Sequence, residues 1–145
     1  AAAALTGLLF VALSINVDEI IHLARLPGRA AATLGMLLIL MISGMLVLAP
    51  AQGDVLLGTE LAVLGLSIGA FAAGSMRPRR QPGDAFRLTV LPLIIMLVPS
   101  AALAIGGITL ALGVGGGLYW TLAGFVLGVA ATVTNAWVLL IEIKR

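Results

Sequence analysis

Long apolar runs, interrupted at four points, set the pattern of this chain. A helix needs about 20 apolar residues to cross the hydrocarbon core of a bilayer. Five segments meet that need: Ala1–Leu23, Ala30–Leu48, Val55–Ser75, Phe86–Leu112 and Leu118–Ile143. The interruptions carry turn chemistry. "LPGR" at Leu26–Arg29 and "APAQGD" at Ala49–Asp54 hold Pro and Gly, and Asp54 is placed to cap the third helix. "MRPRRQPGD" at Met76–Asp84 is the one strongly hydrophilic loop, and "GVGGG" at Gly113–Gly117 is short and glycine-rich. The pattern predicts an all-α, polytopic membrane helix bundle of about five spans in a single domain covering residues 1–145, without an internal repeat.

Composition supports lipid as the solvent. The 145 residues are 61% hydrophobic and only 10% charged, with a mean hydropathy of +1.21. A soluble domain carries roughly 25% charged residues. The eight basic residues are Arg25, Arg29, Arg77, Arg79, Arg80, Arg87, Lys144 and Arg145. They occupy the first loop, the third loop and the C-terminus, which five spans place on one side. The positive-inside rule then predicts an N-out, C-in topology. The same distribution accounts for the net charge of +2 without nucleic acid, and Arg77, Arg79 and Arg80 are candidates for contacts with anionic lipid. The chain opens "AAAALTG", without an initiator Met or the basic start of a signal peptide.

Small residues predict how the helices pack, because lipid gives little hydrophobic drive for association and close backbone approach matters more. Gly65, Gly69 and Ala73 recur at i, i+4, i+8 in the third helix. Gly124 and Gly128 form a GxxxG in the fifth, with Thr121, Thr132 and Asn135 near the same side. The second helix repeats the spacing at Ala31 and Gly35. Such faces serve packing within one chain or between copies. In the fourth helix, Pro92 and Pro99 lie on roughly one face and each removes a backbone hydrogen bond, so this helix is a candidate gate. The alternative is that neighbouring helices satisfy the freed backbone groups.

Polar residues inside the spans are the candidates for chemistry. Glu60 lies about 9 Å below the start of the third helix, counted at 1.5 Å per residue. A carboxylate within a span points to function by default. It can bind a cation or carry a proton; alternatively it reaches outward to the interface, or it bonds Thr59 and a neighbouring helix. Asp18, Glu19 and His22 form a second group. Ser14, Asp18, His22 and Arg25 share one helical stripe, with Asn16 and Glu19 elsewhere. This group reads either as a cation-attracting vestibule with a titrating His, or as an exit from the membrane with local ion pairs. Asn135 and Glu142 are expected at similar depth. "GLSIG" at Gly65–Gly69 matches G-x-S-x-G, but a nucleophile elbow needs a strand and a sharp turn before its helix, and here the motif falls inside a continuous apolar helix.

Several classes are excluded by what the sequence lacks. There is no Cys and only one His, so neither a thiolate nor a polyhistidine metal site can be built from this chain. No Lys lies within a span, and neither a Walker-type loop nor HExxH is present. No catalytic residues, metal or cofactor are expected.

The run "LTGLLFVALSIN" at Leu5–Asn16, leading into "RLPGRA" at Arg25–Ala30, resembles small uncharacterised multi-pass proteins of the bacterial inner membrane. The resemblance covers the first thirty residues. It implies that location and no activity. The expectation is a noncatalytic packing or accessory subunit, in a homo-oligomer or with other membrane subunits. The rival expectation is a small-ion or proton-linked channel or transporter.

Overall fold

The structure is a computed structural model that describes residues 2–16, 26–76 and 86–143. They form five helices: α1 (Ala2–Ile15), α2 (Leu26–Val47), α3 (Asp54–Ser75), α4 (Phe86–Ala111) and α5 (Gly117–Ile143). There is no strand among the described residues. Apolar stretches of 21, 22, 22 and 23 residues in α2 to α5 are long enough to cross a membrane. The 14 residues of α1 reach only about 21 Å at 1.5 Å per residue, short of a hydrocarbon core of about 30 Å. The rest of the first expected span lies outside the described residues. The chain is a multi-pass helical membrane protein.

α2 to α5 close a ring in which each helix runs antiparallel to the next. α4 packs most extensively, on α3 and α5, and α2 completes the ring against the same two helices. α1 lies outside the ring against α2 and the edge of α5, where Leu13 meets the buried Ala30 and Leu139. Ala32, Met36, Leu40, Ile68, Ala72, Met96, Leu103 and Ala131 form one core to which all four ring helices contribute. Met36, Leu40, Met96 and Leu103 are each at most 1% exposed, so large side chains occupy the centre of the ring.

The α3–α4 seam is nearly backbone on backbone. A Cβ added to Gly65 would stand 2.6 Å from the Ala104 nitrogen and 2.9 Å from the Ser100 oxygen. One added to Gly58 would stand 2.6 Å from the Gly107 oxygen. No side chain fits at those distances, so glycine is what lets the two helices approach. The buried face of α3 is Gly58, Leu61, Gly65, Ile68 and Ala72. Its period is close to 3.5 rather than 4. The expected stripe from Gly65 through Gly69 to Ala73 therefore drifts off the seam: Gly69 touches Ser100 only at its edge and Ala73 is exposed.

The GxxxG of α5 is also used inside the chain, by two different neighbours. A Cβ at Gly124 would meet Leu103 of α4 at 2.8 Å, and one at Gly128 would meet Leu40 of α2 at 3.1 Å. Gly35 of α2 seats Ile68 and Phe71 of α3. Between α4 and α5 the chain turns through Gly113 at φ 65° and Gly116 at φ 103°, left-handed conformations that favour glycine. The turn between α2 and α3 differs, because there the left-handed residue is Ala51, at φ 61°.

Candidate functional site

Two polar pairs stand out among the described helices, one at each end of the ring. At the first, Arg29 in the opening turn of α2 donates from Nη2 to Asn135 Oδ1 of α5 at 3.0 Å. Asn135 is buried with Thr33 and Thr132. Thr33 bonds the Arg29 carbonyl at 2.8 Å and Thr132 bonds the Gly128 carbonyl at 2.9 Å, so both hydroxyls are satisfied on their own helices. Asn135 Nδ2 is buried without a hydrogen-bond partner among the described residues. Sequence reasoning placed Asn135 near the polar group of the first helix and treated Arg29 as a turn marker. Arg29 instead reaches into the bundle. Asp18, Glu19 and His22 lie outside the described residues, as do Arg77, Arg79 and Arg80.

The second pair surrounds Glu60. The strained turn at Ala51 folds the loop back so that Gln52 Nε2 donates to Glu60 Oε2 at 2.6 Å. Non-glycine residues in this conformation cluster at sites where the surrounding structure holds them. Gln52 Oε1 is buried without a hydrogen-bond partner among the described residues. The amide thus gives up one oxygen in order to serve the carboxylate. Thr59 bonds the Leu56 carbonyl of its own helix, not Glu60. The half-buried Glu60 lies in an open groove of about 300 Å³ between α2 and α3, walled by Ile42, Leu46, Val63 and Leu64. Glu60 is the one ionisable group in a wall that is otherwise aliphatic except for Thr59. Gln52 and the α2 wall residues escape sequence reasoning. The one signal for Gln52 is a polar residue in a short loop, within reach of an acidic residue two turns into the next helix.

The other candidates fall elsewhere. Ser67 is exposed midway along α3, with no turn beside it, so G-x-S-x-G here makes no nucleophile elbow. Pro92 and Pro99 are buried within α4, which stays helical from Phe86 to Ala111. Ser100, beside Pro99, bonds the Met96 carbonyl at 2.7 Å.

Aromatic side chains mark the depth of the bundle. Tyr119 and Trp120 are exposed at the start of α5 and Trp137 is exposed near its other end. The two tryptophans stand about 26 Å apart along the axis. Trp and Tyr gather at the two membrane–water interfaces, and this separation suits a hydrocarbon core of about 30 Å. The Glu60 groove lies at the Tyr119–Trp120 end, since the start of α3 and the start of α5 share that end. The Arg29–Asn135 pair lies at the Trp137 end. Comparison of the chain with protein-family models, curated proteins and solved structures returns no match.

Proposed function

We propose that this chain is a noncatalytic packing or accessory subunit of the bacterial cytoplasmic membrane, acting in a homo-oligomer or a larger membrane complex. The filled core carries the reading. Met36, Leu40, Met96 and Leu103 occupy the ring, so a partner is engaged on the outer surface rather than passed through the middle. The glycine seams at Gly65 and Gly124 join helices of the same chain, so contacts between copies use other faces. The basic loops supply the orientation, N-out and C-in, with the Arg29 end in the cytoplasm. Mass measurement of the protein extracted in mild detergent tests the reading. A species heavier than one chain is expected, and a strictly monomeric protein that copurifies with nothing overturns it.

Glu60 favours a second reading, small-ion or proton-linked transport, because an acidic group at this depth is costly unless it is used. Flux measured in liposomes containing the purified protein separates the two. A current lost in Glu60→Gln establishes transport, and no flux at any pH removes it.

A further inference from the structure

The groove at Glu60 combines features that together specify a ligand. It is open, aliphatic and about 300 Å³ in volume, at the small end of the range for sites that take small organic molecules. Its carboxylate is held at Oε2 by a neutral amide at 2.6 Å. The amide supplies a hydrogen bond but no charge. A carboxylate beside aliphatic walls attracts a cation, and no basic side chain among the described residues lies at this end of the ring. In the sequence the eight basic residues fall in the first loop, the third loop, the adjoining helix starts and the C-terminus. Arg29, on the same helix as the groove wall, is about 20 Å away along α2.

We propose that this groove binds a lipophilic monocation, a protonated amine whose apolar body lies along Ile42, Leu46, Val63 and Leu64 while its N–H groups face Glu60. The site is independent of whether the chain assembles with partners. Among the described residues, a parallel second copy offers no basic side chain at this depth, since its Arg29 lies at the opposite end of α2. An aminophospholipid carries the same ammonium, but it also carries a phosphate, and the wall of the groove offers no basic residue to receive it. A free amine matches the site without that unmet charge.

Equilibrium dialysis of radiolabelled phenylpropylammonium against the purified chain in phosphatidylcholine nanodiscs tests the proposal, with empty nanodiscs as the blank. Saturable binding near one amine per chain is expected. Loss of the charge-assisted contact in Glu60→Gln should weaken it roughly ten- to hundredfold. Val63→Phe alters an exposed groove residue, leaves the carboxylate in place and should also weaken binding. The neutral phenylpropanol should not compete. Binding no better than the blank, or binding indifferent to both substitutions in folded protein, overturns the proposal. So does an amine signal that is absent while phosphatidylethanolamine associates through Glu60, which assigns the groove to a lipid. A membrane polypeptide released by Glu60→Gln in the absence of amine binding overturns it as well, in favour of a protein partner.

Discussion

The two ends of the ring hold opposite charges in the same way. At one end a guanidinium meets the amide of Asn135, and at the other a carboxylate meets the amide of Gln52. The settings differ. Arg29 and Asn135 join α2 to α5 inside the bundle, and the amide is almost wholly enclosed. Glu60 and Gln52 are close in sequence, and their bond lies beside a groove that opens outward. An interior pair fixes which helices are neighbours, and little else can reach it. A pair on an open wall leaves its charge accessible. The comparison teaches that a charged residue in a span indicates function only once its surroundings are known: one of these two joins helices inside the bundle and the other faces an open groove.

Substitutions break or sharpen that contrast. The largest effect belongs to neither pair. Gly65→Leu places a side chain where the α4 backbone already lies, and the chain should fail to reach its native state. Protease resistance and thermal unfolding in detergent check this. Gly124→Leu should act in the same way through Leu103, which would show as loss of the fold itself rather than as dissociation of folded copies.

Next is the Arg29–Asn135 pair. Asn135→Leu removes one acceptor of Arg29 from the buried side of the bundle, and a hydrogen bond to a charged group is worth about 1.5–3 kcal/mol. Unfolding in denaturing detergent should register a loss of that order. Glu60→Gln exchanges an open-walled carboxylate for an amide of the same size and should change stability by less than about 1 kcal/mol, since partly solvated polar contacts contribute little. If Glu60→Gln proved as damaging as Asn135→Leu, the distinction between the ends would collapse. The smallest effect is expected at Ala51→Gly. Relief of a left-handed alanine should raise stability by up to about 1 kcal/mol, visible as a small rise in melting temperature.

The spans of α2 to α5 were legible because apolar length is a property of composition, and lipid imposes it directly. The small-residue faces were legible as faces but not as partnerships. Gly124 and Gly128 look like one motif in sequence, yet they serve two different helices, because a face wide enough to hold both reaches α4 and α2 in turn. The misplacement of Ala73 has a related cause. A spacing of i, i+4, i+8 rotates around the helix by about 80° over two steps, since a turn takes 3.6 residues. Arg29 was hidden by its position: an arginine beside Pro and Gly reads as a loop marker, and only the fold brings Asn135 to it. Glu60 was legible as an anomaly. Its groove was not, because Ile42 and Leu46 differ in no way from the other aliphatic residues of α2 until α3 lies beside them.

The Arg29–Asn135 bond spans 106 positions of the chain, and this has a consequence for biogenesis. Ribosomes add about 5–20 residues per second, so Asn135 is made roughly 5–20 s after Arg29. For that interval α2 has a cationic end and no α5 to receive it. Its arginine must wait at the headgroups, among water and phosphates, and the ring can close only when the last helix arrives. The order of synthesis thereby makes α5 the latch of the bundle, and a chain truncated before Asn135 should remain an open set of helices.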